Sequence, residues 1–410
     1  MTMPAIDAPR FLDRLAALAR IGRDADGRLM RLAASDADRA GRDALAGWMR
    51  EAGLEVRIDR IGNVIGLWDP AGRAAAPVMI GSHIDTVIDA GIYDGCAGVL
   101  AGLAVIESLA RAGRTPTRPL ALAAFTNEEG VRYTPDMMGS LVYAGGLPVE
   151  AALATTGTDG TVLGEELVRI GYAGPEAPGF LQPHAYVELH VEQGPVLERE
   201  GVAIGAVEDL QGISWQEVTI EGTANHAGTT PMSLRRDAGV AAALLVTWLR
   251  ERARAGNGRS VATVGRLRLE PDAINVIPAR AILTVDLRDP EAGRLAAFEA
   301  DLAARLDALA REEAVTVTVR RLARFDPVTF DPGIVRAIEA AARARGLSVR
   351  RMTSGAGHDA QMMARICPAA MIFVPSAGGI SHNPAERTAD ADLVAGAEVL
   401  LDVVQALSGA

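Results

Sequence analysis

The chain has 410 residues, 49% of them hydrophobic and 23% charged, so it is long enough for two or three globular domains and too apolar for extended disorder. Its formal net charge is -11, and no run of Lys or Arg alternates with aromatic residues, which argues against nucleic acid as a partner. The two cysteines, Cys96 and Cys367, provide neither a disulfide framework nor a thiolate metal site.

The N-terminal residues show no basic segment followed by an apolar stretch. No later segment reaches the roughly 18 consecutive apolar residues of a membrane span. We therefore expect a cytoplasmic protein without a membrane partner.

The first two hundred residues are predicted to form an α/β unit. Residues 35–52 predict a helix, because a Ser/Asp cap precedes apolar residues at helical spacing. The alternating residues 54–68, which turn at Gly62-Asn63, predict a hairpin or a pair of neighbouring strands. The segments PVMIGSHIDTV and PLALAAFTNEEG are apolar strands that end in polar residues, and a helix over 97–112 follows the first. Such strands are typical of a mostly parallel sheet, which binds ligands beyond the carboxyl ends of its strands.

The pattern changes at about residue 212. The segments SWQEVTIEG, SVATVGRLRLEP, RAILTVDLRD and VTVTVRRL alternate, and helices are expected over 237–254 and 291–312. This order predicts an inserted α+β sandwich with a helix-free sheet face or edge. The α/β character resumes near Pro332 with a helix over 334–345, the strand AAMIFVPS and a helix over 391–407. We expect an α/β catalytic domain, residues 1–211 and 328–410, interrupted by a second domain, residues 212–327.

Five of the six histidines lie in polar or Gly-rich motifs, and only His184 has no motif around it and is expected on the surface. In GSHIDTV, His83 and Asp85 are two residues apart on an extended segment, so Asp85 can accept from the imidazole nitrogen that does not bind metal. Taken alone, a His-x-Asp pair is more often structural. Asp94 lies in a Gly-rich loop before a helix, where a carboxylate either bridges two cations or caps the helix.

Glu128 and Glu129 end an otherwise apolar strand, so one can bind metal while its neighbour faces the reacting water; the alternative is a solvated corner. Further histidines follow in VELHVEQGP and GISHNPAE. The resulting set supplies nitrogen and oxygen ligands without a thiolate, which suits zinc, manganese, cobalt or nickel. Its members are His83, Asp94, Glu129, His190 and His382.

Short motifs are spread along nearly the whole chain. In chain order they include GSHIDTV, YDGCAGVLAG, FTNEEGVRY, ELHVEQGPVLE, QGISW, NHAGTTPM, INVIPA, DLRD, SGAGHDA and SHNPAE. The chain resembles the N-carbamoyl-L-amino-acid hydrolase, β-ureidopropionase and allantoate amidohydrolase family, a branch of the aminoacylase-like dinuclear metallohydrolases. The resemblance implies two divalent cations per subunit. His83, Asp94 and His190 would hold one, and Glu129 and His382 the other, with Asp94 bridging. Glu128 would be the general base, and Asp85 counts among the catalytic residues.

The resemblance also implies that the inserted domain is a lid that dimerises. His226 and Asn275 would reach across the dimer to polarise the scissile carbonyl, and Arg288 would hold the substrate carboxylate. Gln193, Gln211 and the backbone around Gly357 would complete the pocket. His358 would either contact the substrate or brace the metal ligands through Asp359.

The expected reaction is hydrolysis of a C–N bond in a small carboxylate-bearing ureido compound, first of all an N-carbamoyl-L-amino acid, which would release the amino acid, ammonia and carbon dioxide. Allantoate and β-ureidopropionate are alternatives, as are an N-acyl amino acid hydrolase or peptidase and a non-catalytic scaffold. Neither the substrate nor the metal follows from the sequence alone.

Overall fold

The computed structural model describes residues 4–256 and 258–410, which divide into two units. Unit 1 comprises the described residues up to Glu208 together with Phe330–Ala410, and unit 2 comprises Asp209–Thr329. Within the described ranges, no helix combines the length and apolarity needed to cross a membrane.

Helices and strands alternate along much of the chain. The helices are α1 (Ala8–Leu18), α2 (Asp36–Glu51), α3 (Cys96–Arg111), α4 (Met138–Tyr143), α5 (Val149–Leu153), α6 (Leu163–Arg169), α7 (Val196–Glu200), α8 (Ala238–Arg254), α9 (Ala292–Glu312), α10 (Pro332–Ala344), α11 (Asp359–Met363) and α12 (Asp390–Ser408). The strands are β1 (Glu55–Ile58), β2 (Val64–Trp68), β3 (Val78–His83), β4 (Leu120–Phe125), β5 (Ala185–Val191), β6 (Ile204–Leu210), β7 (Gly212–Glu221), β8 (Val261–Glu270), β9 (Arg280–Asp289), β10 (Thr316–Phe325), β11 (Val328–Thr329), β12 (Val349–Ser354) and β13 (Ala369–Val374).

Capping residues and apolar periodicity account for the long helices. α2 begins after Ser35, whose side chain accepts the N–H of Asp38, and it buries Leu45 and Met49. α8 begins after Asp237, whose carboxylate accepts two backbone N–H groups of the first turn. The structure confirms the predicted helices at these positions and the hairpin of β1 and β2.

The sheet of unit 1 has a parallel centre and antiparallel margins. Strands β4, β3, β5 and β13 lie side by side in that order and are parallel. β2 pairs antiparallel with β4, β1 with β2, and β6 with β13. The mixed α/β class is as predicted, but the prediction of a mostly parallel sheet is wrong at the margins. One reason is the tight turn between β1 and β2, which permits only antiparallel pairing.

The parallel centre brings the polar strand ends to one edge of the sheet. His83 is the last residue of β3, and His190 is the last but one of β5. Glu128 and Glu129 follow β4, and His382 follows β13. Parallel strands end on the same side, so side chains distant in sequence meet there.

Unit 2 contains a four-stranded antiparallel sheet in the order β10-β7-β9-β8, with α8 and α9 packed on one face. Buried and partly exposed residues alternate along β9. Leu283 and Leu287 belong to the core beneath the helices. Thr284, Asp286 and Arg288 therefore lie on the opposite face, which carries no helix among the described residues of this unit.

Asp59 is a fully buried carboxyl group beside the β1–β2 hairpin. Its oxygens accept the backbone N–H groups of Ile61 and Asn63 and the side-chain amide of Asn63, at 2.9–3.1 Å. Burial, the largest influence, raises the pKa of Asp59 to about 7, against these hydrogen bonds and the Arg42 cation. The folded protein therefore holds the proton of Asp59 more tightly than the unfolded chain does. The resulting stabilisation is fully present below the ordinary pKa of 3.8 and is lost as the pH rises through about 7.

We expect the free energy of unfolding of the wild type, taken relative to Asp59→Asn, to fall by roughly 2–4 kcal/mol as the pH rises from about 4 to about 8. Urea unfolding of both proteins across this range measures the difference. The asparagine variant is the control, because its side chain cannot titrate. A difference that stays constant or grows with pH would contradict the direction assigned to Asp59.

Candidate active site

The first group of side chains consists of His83, Asp94 and His190, all buried. The Nε2 atoms of His83 and His190 lie 3.5 Å and 3.1 Å from Asp94 Oδ1. Gly95 permits this approach, since its φ is +61° and a Cβ there would lie 2.4 Å from His83 Nε2. The turn before α3 therefore needs glycine at this position.

The second group consists of Asp94, Glu129 and His382. His382 Nε2 lies 3.4 Å from Asp94 Oδ2 and 3.4 Å from Glu129 Oε2. Each oxygen of Asp94 thus faces a different group. A carboxylate that bridges two cations needs this arrangement.

The donor atoms fit divalent cations in spacing and in chemistry. Ligands at 2.0–2.1 Å in a tetrahedral site lie about 3.3 Å from one another, and the contacts within the two groups measure 3.1–3.5 Å. All donors are imidazole nitrogen or carboxylate oxygen, the set expected for a catalytic zinc, manganese, cobalt or nickel centre.

The electrostatics of the cluster point the same way. Burial opposes ionisation of Asp94, yet hydrogen bonds from three imidazoles hold its pKa well below the usual range. Burial and the charge of Asp94 raise the pKa of Glu129 to about 8. The hydrogen bond to Asp94 raises the pKa of His382 to about 9. Cation binding displaces the protons that such clusters otherwise hold.

Glu128 lies beside the first group but belongs to neither. Its Oε2 is 3.4 Å from His83 Nε2, and burial, opposed by the charge of His83, raises the pKa of Glu128 well above its ordinary value. The residue is buried, with 8% of its surface exposed.

Asp85 makes a different contact from the one predicted. The Nδ1 atom of His83 contacts the backbone carbonyl of Asp85 at 3.0 Å, whereas the Asp85 carboxylate is 3.9 Å away. That carboxylate instead accepts the backbone N–H groups of Glu128 and Glu129, each at 3.2 Å. The predicted hydrogen bond between the Asp85 carboxylate and the imidazole is wrong, because the backbone carbonyl of Asp85 contacts the ring and the carboxylate binds the two backbone N–H groups.

Three residues around the cluster adopt left-handed backbone conformations that non-glycine residues seldom occupy. They are Asn127 (φ 56°), Gln193 (φ 57°) and His382 (φ 53°). Each lies in the segment that carries a predicted site residue. Conformations of this kind concentrate at functional sites, where the surrounding structure holds a side chain in place.

Two hydrogen-bonding groups orient the shared Asp94 carboxylate. Gln193, predicted to bind substrate, donates from Nε2 to Asp94 Oδ2 at 2.7 Å. The Ser381 hydroxyl lies 3.1 Å from the same oxygen and 2.8 Å from Glu386 Oε1. Glu386 also accepts the N–H groups of Tyr93 and Asp94, at 3.0 Å and 3.3 Å. Neither Ser381 nor Glu386 was assigned a role from the sequence, although both lie in the SHNPAE motif.

We expect Glu386→Ala to weaken Mn²⁺ or Zn²⁺ binding about 10- to 100-fold, because Glu386 joins the loop of Asp94 to the loop of His382. Competition with a fluorescent chelator measures this affinity without reference to activity. Glu165→Ala, at an exposed glutamate of α6, is the matched control. Unchanged affinity in a folded Glu386→Ala protein would show that the link is dispensable.

His358 is 2% exposed and lies against the metal-ligand candidates. Its ring centroid is 4.4 Å from that of His190, and its Nε2 is 3.1 Å from the Ser354 hydroxyl. These contacts place His358 as a packing partner of His190. Gly357, predicted to contact substrate through its backbone, is partly buried next to Met137.

The remaining predicted residues belong to unit 2. Gln211 donates to the Arg259 carbonyl at 3.1 Å. His226 and Asn275 lie on adjacent segments, joined by a hydrogen bond from the Ala227 N–H to the Asn275 carbonyl at 3.0 Å. Arg288 lies near the end of β9, and its guanidinium binds Asp286 through Nε and Nη2 at 2.9–3.1 Å.

The chain is similar to known proteins over nearly its whole length. The model of peptidase family M20/M25/M40 matches residues 79–406, which contain every candidate metal ligand. The chain belongs to this family. Among its relatives, an N-carbamoyl-L-amino acid amidohydrolase of Geobacillus stearothermophilus is 40% identical over 98% of this chain and 99% of its own length.

A second relative is an allantoate amidohydrolase of Bacillus subtilis, 34% identical over 97% of each chain. A similar solved structure is an amidase of the hydantoinase/carbamoylase family from Burkholderia multivorans. It is 40% identical, has a TM-score of 0.96 and matches 99% of this chain and 98% of its own. The family resemblance predicted from the motifs is confirmed.

Proposed function

We propose that this M20/M25/M40 family member is a metal-dependent amidohydrolase that cleaves a C–N bond of an N-carbamoyl-L-amino acid. The observation that carries the proposal is the pair of ligand groups that share Asp94, with Glu128 beside them and outside both. The 40% identical relative named for this activity supports the choice of substrate.

His83, Asp94 and His190 would hold one divalent cation, and Asp94, Glu129 and His382 a second. Divalent cations in such sites supply Lewis acidity and lower the pKa of water towards about 7. The chain's own contribution to the chemistry centres on Glu128, whose carboxylate accepts the proton of the attacking water and then donates it to the departing nitrogen. Hydrolysis of the ureido group releases carbamic acid, which decomposes to ammonia and carbon dioxide and leaves the amino acid.

Asp85 and Gln193 hold this arrangement in place. Asp85 fixes the backbone N–H groups of both glutamates, and Gln193 fixes one oxygen of Asp94. Reacting groups held in one geometry need no reorganisation during the reaction. We assign Asp85 a positioning role on this basis.

Arg288 would bind the substrate carboxylate, and His226 with Asn275 would polarise the carbonyl. Asn275 precedes β9 and Arg288 is close to its end, so the eight steps from Arg280 to Arg288 alone separate them by about 27 Å. A small ureido acid cannot touch both ends of one strand. The assignment therefore requires two copies of unit 2, one supplying Arg288 and the other supplying His226 and Asn275.

A homodimer built through unit 2 meets this requirement. Among the described residues the sheet ends at β8, and exposed apolar side chains lie along β8 and α8. They are Val240, Leu244, Val261, Leu267 and Leu269. An unpaired edge strand next to an apolar helix surface favours association with a second copy about a two-fold axis. We propose that unit 2, as the inserted lid domain, forms this contact.

The alternative substrate is allantoate, which the 34% identical relative is named for. To decide between these substrates, bound metal is removed from the protein with a chelator, and manganese, zinc, cobalt or nickel is then restored separately. Ammonia release is then measured from N-carbamoyl-L-amino acids, N-carbamoyl-β-alanine and allantoate, with an N-acetyl amino acid tested for amino acid release. Metal-dependent ammonia release from N-carbamoyl-L-amino acids is the expected result. Activity on the N-acetyl compound alone would place the chain with the acylases, and inactivity with metal bound would favour a scaffold.

A further inference from the structure

The open face of the unit 2 sheet carries an apolar pocket of about 280 Å³. It crosses all four strands, from Leu322 on β10 and Trp215 on β7 to Thr284 on β9 and Gly265 on β8. A cavity of roughly 150 Å³ accommodates a benzene ring. The pocket is therefore large enough for the side chain of leucine or phenylalanine.

Both edge strands depart from regular pairing at this pocket. On β8, Thr263 is opposite Asp286 but Arg266 is opposite Thr284, so one extra residue is inserted next to Gly265. On β10, the register shifts between Arg321 and Ala323, which leaves Leu322 as the extra residue. Bulges of this kind redirect side chains and recur beside binding sites. The pocket is a product of these two irregularities.

Gly265 keeps the pocket open on the β8 side. An added Cβ would meet nothing closer than the Thr284 hydroxyl, at 3.8 Å. Local packing therefore leaves room for a Cβ at this position. Substitution at this position is consequently a means of filling the pocket.

Asp286 joins the pocket to Arg288. It lines the pocket and accepts three hydrogen-bond contacts of 2.9–3.1 Å from the Arg288 guanidinium, which balances its charge. The two residues lie on the same sheet face, about 7 Å apart. In an α-amino acid the carboxylate and the side chain are attached to one carbon. A carboxylate held by Arg288 thus leaves the side chain within reach of the pocket.

We propose that this pocket binds the side chain of the N-carbamoyl-L-amino acid whose carboxylate Arg288 holds, and that it selects bulky apolar side chains. The inference rests on the proposed function. The walls offer mainly apolar surface from Trp215 and Leu322, which a leucine or phenylalanine side chain would cover. N-carbamoylglycine and N-carbamoyl-β-alanine have no side chain to fill it, and allantoate would place a polar ureido group there.

The test compares kcat/KM for N-carbamoyl derivatives of glycine, L-alanine, L-leucine and L-phenylalanine, with allantoate included. The wild type should prefer the leucine and phenylalanine derivatives over the glycine derivative about 10- to 100-fold. Gly265→Leu should remove most of this preference, because the leucine side chain would occupy the space that the substrate side chain needs. Thr219→Leu, on the same sheet face opposite Thr318 and Ile282 and outside the pocket, is the matched control and should keep the preference.

Leu322→Ala provides a second variant at an exposed position that tolerates truncation, and it should reduce the preference for phenylalanine over glycine severalfold. Equal rates for all side chains, or a preference that survives both Gly265→Leu and Leu322→Ala, would overturn the pocket assignment and leave the proposed function intact. No ammonia from any N-carbamoyl amino acid, with release from allantoate, would overturn both.

Discussion

Glu128→Gln should lower kcat for ammonia release about 10³-fold while the protein keeps its metal. The glutamine cannot accept the proton of the attacking water, and general acid–base groups contribute about 10²- to 10⁴-fold to rate. Glu128 is outside both ligand groups, and its neighbour Glu129 is inside one. Two adjacent carboxylates should therefore give separable phenotypes.

Initial rates and metal content of the same preparations make this comparison. Glu128→Gln should retain the wild-type metal stoichiometry, and Glu129→Gln should lose roughly one equivalent, because it removes a donor next to His382. A Glu128→Gln protein that loses metal would reassign Glu128 as a ligand. One that retains more than about a tenth of the wild-type rate would remove it from proton transfer.

The sequence was most informative where one element could be read by itself. Helices α2, α8 and α9 carry apolar stripes, α2 and α8 also have capping side chains, and β9 alternates throughout, so their type and position followed from spacing. Helices α4 to α7 have five to seven residues, too few for a periodic stripe, and were not predicted. α1 was also missed, although it is amphipathic and capped by Asp7.

Candidate ligands could be chosen from the sequence, but their grouping could not. His83 and His382 are separated by most of the chain and meet only because β3 and β13 flank β5 in the same parallel sheet. Their assignment to two groups rested on family resemblance. The contact of Asp85 with the glutamate backbone depends on how two loops turn, which local spacing does not encode.

The ring of His226 is held by backbone groups of its own loop. Its Nδ1 accepts the N–H groups of Gly228 and Thr229, at 3.0 Å and 3.2 Å. An acceptor at Nδ1 requires the neutral ring to carry its proton on Nε2, which leaves Nε2–H as the donor on an exposed side chain. The loop therefore fixes both the tautomer and the direction of the hydrogen bond that His226 can offer.

We expect His226→Ala to lower kcat about 10²- to 10³-fold with little change in KM or metal content, the usual cost of losing one donor to a developing oxyanion. His226→Gln, which keeps an N–H donor, should recover part of the loss. His184→Ala, at another exposed histidine, is the matched control and should behave as the wild type. A raised KM with unchanged kcat would instead show that His226 binds the substrate equally in its ground state and transition state.

Mixing two inactive proteins tests whether His226 and Arg288 serve the same site from different subunits. In a dimer of one His226→Ala and one Arg288→Ala subunit, cross-subunit assembly gives one site with both defects and one site with neither. Random subunit exchange makes half of the dimers mixed, so about one quarter of the wild-type activity should return. If both residues served the site from one copy, every mixed site would carry one defect and no activity would return. That outcome would also conflict with the length of β9, which separates Arg288 from Asn275 and the adjacent His226 segment, and would require a different carboxylate-binding group.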